Sequence, residues 1–421
     1  MGFQQGLSGL NAASKSLEAI GNNVANANTV GFKGAQAQFS DVYAASLTGA
    51  ASLSVGIGVK VATVAQQFTQ GNITASNNPM DIAINGNGFF RLSSNGTEMF
   101  TRNGQFSLDK DGYIVNNNGA RLTGFVTDDS GVLRTGRPVD ISINTADLPP
   151  KQTVGIQAML NLDSSKPVPT VTPFDPANPL TYNNATSVSV YDSLGNARVI
   201  QTFYVKTSTP GLWQVYASVD DRPVNFTPAD PGPPAVPASQ APIGTLQFGT
   251  DGQVTTATPA GGFPVPIPAS GGAAGFTPTI DYEGTTQFGA AFAVNTLKQD
   301  GYTSGRLSGF SAGPDGIITG RYTNGKSSVL GQIVLASFVN PNGLLPTGNN
   351  MFTQSASSGP PLVGSPSSGT LGVLQSSASE ESNVDMTAEL VAMITAQRVY
   401  QANAQTIKTQ DPVLQTLVNL R

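Results

Sequence analysis

Two short stretches carry the residue types of known binding loops. Asp109-Lys110-Asp111-Gly112 begins like a calcium loop, in which acidic oxygens wrap a divalent cation, but its glycine falls too early and no acidic residue completes the set. Gly86-Asn87-Gly88 begins like a dinucleotide-binding turn, yet Arg91 stands at the third glycine position and no helical pattern follows, so it reads as a plain turn. Carboxylates are sparse, and no adjacent pair suggests glycosidase chemistry. Glu380-Glu381 precedes the last helical pattern and reads as solvated acid favoured by the helix dipole. Lys33, in Gly31-Phe32-Lys33, reads as a solvated charge beside a buried ring. The chain has no His and no Cys, which excludes His-based serine triads, His or Cys metal sites and thiol nucleophiles. The expectation is a protein that is not an enzyme and carries no cofactor or metal.

With chemistry set aside, composition limits the partners. The 421 residues suffice for several domains, and 39% hydrophobic content is enough for packed cores. Charged residues make up only 11%, less than half the usual share. A net charge of −5 offers no basic field for a phosphate backbone, so nucleic acid is not an expected partner. No Lys or Arg precedes Lys15 and no apolar h-region follows, so no cleaved signal peptide is expected. No apolar run reaches the roughly 18 residues needed to span a bilayer, so no membrane insertion is expected. Absence of Cys suits a protein that passes unfolded into an oxidising exterior.

The elements divide the chain sharply. Phe3, Leu7, Leu10, Leu17 and Val24 recur on alternating steps of three and four, with Ser14, Gly21 and Asn28 completing the series. Met386, Leu390, Met393, Tyr400, Ala404, Ile407, Leu414 and Val418 repeat the pattern at the other end, interrupted by Gln397 and Asp411. Such a 3.5-residue period makes a narrow helical stripe suited to another helix. Gly6, Gly9 and Gly21 each cost the first helix about 1 kcal/mol relative to Ala, whereas burying an apolar stripe residue returns about 1.5–3 kcal/mol. Both helices therefore need partners, whether each other or further copies. The second helix reads as capped by Ser382 with Asp385 completing a capping box, and Pro412 either kinks it or begins a separate one.

Between the ends, strands alternate with turns. Residues 31–78, including Val55, Ile57, Val59 and Val61, read as extended. Asn85-Gly86, Asn95-Gly96, Asn103-Gly104, Asp111-Gly112 and Asn118-Gly119 read as type I′ hairpin turns, with Phe89, Phe90, Phe100, Phe106, Tyr113 and Ile114 as candidate core. Asp315-Gly316, Asn324-Gly325, a strand at 332–339 and Asn342-Gly343 repeat this texture. Residues 186–191, 199–206 and 212–219 read as strands with Trp213 in their core, and the Pro-rich 228–242 and 259–268 as loops or sheet edges. The expected fold is multidomain: a terminal α-helical coiled-coil domain (1–30 and 383–421), an extended connecting region (31–78 and 358–382), a mainly antiparallel β domain (79–150 and 290–357) and a β domain inserted at 151–289.

Ile20-Gly21-Asn22-Asn23-Val24-Ala25-Asn26-Ala27-Asn28-Thr29-Val30-Gly31-Phe32-Lys33 resembles the N-terminal signature of bacterial flagellar rod and hook proteins. Ser382-Asn383-Val384-Asp385, through Glu389-Leu390-Val391 to Gln397-Arg398-Val399-Tyr400-Gln401-Ala402-Asn403, resembles the C-terminal one. Asn77-Asn78-Pro79-Met80-Asp81 through Phe90 is similar to a stretch shared by these axial proteins, and Val329-Leu330-Gly331-Gln332-Ile333-Val334-Leu335-Ala336 resembles the hook branch in particular. The likeness is weak from about 163 to 280. It implies a self-assembling, hollow, bendable tube at the flagellum that joins the motor's rod to the filament and transmits torque. It also implies type III export to the cell exterior, one long final helix, and contact with distal rod, hook cap and hook–filament junction proteins. The expected subunit-contact residues are Phe3, Leu7, Leu10, Leu17, Val24, Met386, Leu390, Met393, Tyr400, Ile407, Leu414 and Val418. A distal rod protein and a secreted β-rich adhesin are the alternatives.

Overall fold

The computed structural model describes residues 2–42, 56–128, 131–144, 146–227 and 239–419. Val55, the Pro-rich positions 228–238 and the side chains of Asp411, Leu414 and Val418 lie outside the described residues. The chain forms two compact units, one of 1–145, 308–321 and 327–421, the other of 146–307 and 322–326.

In the first unit, α1 spans Gly2–Ala25 and α2 spans Met386–Asn419. The latter runs on through Pro412, so the residue lacking an N–H is absorbed within one helix rather than starting another. Its cap is Asp385, not Ser382. One carboxylate oxygen of Asp385 accepts from the N–H groups of Thr387 (2.8 Å) and Ala388 (3.1 Å). Ser382 instead accepts from Val384 just outside the helix. An ionised cap beats a hydroxyl here, because it satisfies two orphan donors and meets the positive helix end.

The segment after α1 is extended. Strands β1 (Ala35–Val42) and β2 (Gly58–Gln66) form an antiparallel ribbon against α1, and β3 (Ile73–Ala75) pairs with Ala378–Glu380. β4 (Ile82–Asn85) pairs with Val373–Ser376, so both ends of the chain meet in the same strand pairs. β5 (Phe89–Ser94), β6 (Thr97–Thr101), β7 (Phe106–Leu108), β8 (Ile114–Asn116) and β9 (Arg121–Val126) build the main sheet. Phe68, Phe89, Phe100, Phe338 and Phe352 pack edge to face in its core, and Phe90 meets Phe106 at 5.2 Å between centroids. Tyr113 is only half-buried, with Arg121 over its ring. The expected strand at 332–339 is two strands. Ser327–Ile333 pairs with β9, and Leu335–Ser337 pairs with β5 and Leu362–Gly364, the change of partner falling at Val334.

The expected run of type I′ turns reduces to one. Only at Asn95-Gly96 are both central residues at positive φ (52° and 83°). At Gly86, Gly112, Gly119, Gly316 and Gly325 the glycine alone is left-handed, while Gly104 and Gly343 have no positive φ. Gly104 serves a different need: a Cβ there would lie 1.7 Å from the Ile82 carbonyl oxygen. Asp109 is consumed by its own turn, accepting from the N–H groups of Asp111 and Tyr113.

The second unit follows the sequence pattern closely. Asn184–Tyr191, Ala197–Lys206, Leu212–Val219, Gly244–Phe248 and Val254–Thr258 form an antiparallel sheet in that order. A second sheet orders Phe263–Pro264, Thr279–Asp281, Gly155–Asn161 and Ala293–Gln299, its one parallel pair joining Gly155–Asn161 to Thr279–Asp281. The two share one core around Trp213, Tyr204, Leu160, Leu246, Phe263 and Ile280. The proline-bearing strand Phe263–Pro264 lies at a sheet edge, where a missing N–H is tolerated.

The glycines of α1 are unequal. A Cβ on Gly9 would meet the Asn403 side chain at 2.6 Å and one on Gly6 would meet Ile407 at 3.0 Å, but one on Gly21 would meet nothing within 4 Å. Gly21→Ala should therefore raise the stability of the isolated subunit by about 1 kcal/mol. Gly9→Ala should gain clearly less, because Asn403 must move. Denaturant unfolding of the two variants checks this order.

Candidate assembly surface

The helices α1 and α2 pack antiparallel. Gly6 and Gly9 approach Ile407 and Asn403, whereas at the other end Asn23 donates to Glu389 Oε1 at 3.0 Å. The close approach uses the glycines, Gly6 being buried; Ala13 on α1 and Ala396 on α2 are buried small residues as well. This face is offset from the seven-residue repeat. Phe3 (45%) and Leu7 (44%) are exposed, and Leu10, Leu17 and Val24 are half-buried. On α2, Met393 and Ile407 are half-buried, whereas Met386, Leu390 and Tyr400 are exposed. Val391 (60%), Ile394 (52%) and Val399 (48%) enlarge the uncovered apolar surface beyond the repeat. Asn23 is buried among the polar groups at the root of the pair, donating to and accepting from Ala35 at 2.8 Å.

At that root lies the one fully buried ion cluster among the described residues. Lys33 Nζ donates to Glu380 Oε1 and to the Thr69 carbonyl, both at 2.7 Å. Arg102 Nε donates to Glu380 Oε2 at 2.9 Å, and its Nη1 donates to the carbonyls of Gly86 (2.9 Å) and Gly88 (2.7 Å). The Gly71 N–H also donates to Glu380 Oε1, at 2.9 Å. The side chains of Lys33 and Glu380 are wholly excluded from solvent. This overturns the reading of both as solvated charges, because their partners lie 347 and 278 positions from Glu380 and no local pattern records them. Burial lowers the Lys33 ammonium below its ordinary value against the pull of Glu380. Burial pushes the Glu380 carboxyl up, but the Arg102 and Lys33 charges and their hydrogen bonds outweigh it and hold it below the usual carboxylate value.

Neighbouring signature residues serve the same junction. Gly31 is left-handed (φ 70°), a Cβ there would lie 2.6 Å from the Asn103 nitrogen, and its own N–H donates to the Glu380 carbonyl. Asn383 accepts from the Gly34 N–H and donates to the Gln67 carbonyl. The junction residues that sequence reasoning missed are thus Asn23, Gly31, Lys33, Arg102, Glu380 and Asn383; Asn23, Gly31, Lys33 and Asn383 lie within the signature motifs, whereas nothing local marks Arg102 or Glu380.

Comparison with known proteins decides what this arrangement belongs to. Over the full length of both chains, this one is 42% identical to the flagellar hook protein FlgE of Escherichia coli strain K12. The chain belongs to the flagellar hook protein family. Like relatives are the hook proteins FlgE of Salmonella typhimurium (41%, full length of both) and Borreliella burgdorferi (33%, over 99% of this chain and 98% of that one). Family models match along the hook-family chain. They are described as flagella basal body rod protein (3–33), flagellar hook protein FlgE/F/G D1 domain (83–158), flagellar basal body protein FlaE D2 domain (161–302) and flagellar basal body rod FlgEFG protein C-terminal (375–420). The crystal structure of Helicobacter pylori flagellar hook protein FlgE2 shares the fold, with TM-score 0.50 and 14% identity over 72% of this chain and 99% of that one. The first and last matched segments meet through Lys33 and Glu380, so the ion cluster closes the hook-family signature in space.

Removing the shared anion should hurt most. Glu380→Gln leaves two buried cations facing each other and should destabilise the first unit by about 3–5 kcal/mol. Lys33→Met keeps the Arg102–Glu380 pair, removes an ammonium that burial disfavours, and should cost about 1–3 kcal/mol, because Glu380 Oε1 loses a charged donor and the Thr69 carbonyl keeps only its 3.3 Å bond from Asn383. The pH dependence has a fixed sign. A carboxyl held below its unfolded value contributes stability above the ordinary 4.5, and that contribution is lost as pH falls through the folded value. Denaturation across an acid pH series should show the gap between the parent protein and Glu380→Gln narrowing as pH drops.

Proposed function

We infer that this hook-family structural subunit builds its polymer through the outer faces of α1 and α2. The observation that carries the reading is the uncovered apolar surface on a folded single chain: Phe3 and Leu7 on α1, and Met386, Leu390, Val391 and Ile394 on α2. Apolar surface of that kind marks an interaction site, and each side chain buried there returns about 1.5–3 kcal/mol. Phe3, Leu7, Leu10, Leu17 and Val24 together with Met386, Leu390, Met393, Tyr400, Ile407, Leu414 and Val418 form the subunit contact. In this reading the helices are a coiled-coil inner layer, the β domains are nested outside them, and copies join into a hollow, bendable tube. The tube couples the motor's rod to the filament and transmits torque.

Low charge suits this task. Outer surfaces carrying small polar groups exchange hydrogen bonds and water as the tube bends, without stranding an ion pair. The other contacts are the distal rod, the hook cap and the hook–filament junction proteins, and the subunit leaves the cell through the type III export apparatus. Among the described residues no helix is long and apolar enough to cross a membrane. Full-length likeness to hook proteins favours this reading over a distal rod protein or an adhesin.

Leu7→Asp and Leu390→Asp should separate folding from assembly. Both side chains are exposed in the single chain, so each variant should match the parent in circular dichroism and unfolding midpoint yet stay monomeric in sedimentation under polymerising conditions. Tubes of normal appearance in electron micrographs of either variant would sink the proposal.

A further inference from the structure

We propose that Asn95 is a self-modifying position, the one Asn-Gly in this chain that the native fold leaves free to deamidate. The reaction needs no enzyme. The Gly96 backbone nitrogen bonds to Cγ of Asn95, the Cγ–Nδ2 bond breaks, the displaced amine leaves as ammonia with the Gly96 amide proton, and a five-membered imide remains. Water then opens the imide at either carbonyl, leaving Asp or isoAsp.

The chain holds seven Asn-Gly pairs, beginning at Asn85, Asn87, Asn95, Asn103, Asn118, Asn324 and Asn342, so intrinsic reactivity does not distinguish them. The fold does. Ring closure swings the Asn side chain onto the following nitrogen and turns the peptide between them, so a hydrogen bond on any of these groups opposes it. Asn85 lies in a strand pair, and the next N–H donates to Gln70. The Asn87 carbonyl accepts from Gly372, and the Gly88 carbonyl from Arg102. Asn103 accepts from Gln105, and Asn324 accepts from Lys326 while donating to Thr303. Behind Asn118 and Asn342, the glycine N–H donates to the carbonyls of Asn116 and Asn340.

Asn95-Gly96 carries none of these restraints. Both residues are exposed at the tip of the β5–β6 hairpin, neither the Asn95 amide nor the Gly96 N–H has a hydrogen-bond partner among the described residues, and a Cβ on Gly96 would meet nothing within 4 Å. The turn therefore has only to open locally, without breaking the sheet behind it. The product matters to the hairpin. It adds a negative charge beside a strand that carries Glu98, and the isoAsp form inserts a methylene into the main chain of a two-residue turn that sets the register Ser94↔Thr97.

Site-resolved mass spectrometry of the full-length protein, incubated folded at mildly alkaline pH, tests the assignment. The peptide containing Asn95 should gain one mass unit several-fold faster than any other Asn-Gly peptide, with isoaspartyl methyltransferase labelling the product. In guanidinium chloride the seven rates should converge. Asn95→Gly, which accepts the positive φ of the turn, should abolish the conversion at that position. Leading conversion at Asn87, Asn118 or Asn342 in the folded protein, or equal conversion at all seven, would overturn the proposal, as would an Asn95 that stays intact while the unfolded chain converts.

Discussion

The first unit hangs on a single carboxylate. Glu380 draws Lys33 from the segment that leaves α1, Arg102 from the β domain and the Gly71 N–H from the link between β2 and β3 into one buried site. Two cations around one anion, shut away from bulk solvent, are not a cheap arrangement, since desolvation offsets much of the attraction. Such a site gives definition more than bulk stability. Lys33 holds one carboxylate oxygen and Arg102 reaches both, while each also holds backbone carbonyls, so the segments are tied to one another at several points. The helix pair above it inherits that geometry, because Asn23 and Glu389 tie the first turns of contact to the same root.

Legibility from sequence followed the range of the interactions. Ala197–Lys206 and Leu212–Val219 were readable within two residues of their ends, because a strand with one buried face writes its period into consecutive residues. The ion cluster wrote nothing local. A Lys beside Phe and a Glu beside Glu carry the ordinary signature of solvated charge, and only the long-range fold brings them to zero exposure. The cap of α2 shows the same limit at shorter range, for Ser382 and Asp385 both have capping chemistry and the chain's exit path from Ala378–Glu380 decides between them. Turn chemistry was half legible. Asn-Gly signals the need for a glycine, but a left-handed glycine, a close approach and a 3₁₀ turn make the same dipeptide for different reasons.

The apolar repeats were legible as helices and misleading as a seam. A seven-residue stripe invites the inference that its residues face the nearest helix. Here the nearest helix is met one position away, by Gly6 and Gly9, and the larger residues Phe3 and Leu7 are exposed. Sequence periodicity reports that a stripe will be buried somewhere and is silent about which molecule buries it.

The glycines then acquire a second meaning. Counted on an isolated helix, Gly6 and Gly9 are a loss of about 1 kcal/mol each. In the folded chain they let α1 lie close against Asn403 and Ile407, so that the pair forms while Phe3, Leu7 and Leu390 stay uncovered. An intrachain seam built from Phe3, Leu7 and Leu390 would have made a stabler subunit with nothing left to offer a neighbour. Pairing through Gly6 and Gly9 leaves Phe3, Leu7 and Leu390 uncovered on the folded single chain, so their burial energy is not realised within it. Gly21 fits neither role within the subunit, since no atom approaches its missing Cβ. Its helix-weakening cost has no intrachain return, which sets it with the outward-facing positions and not with the seam.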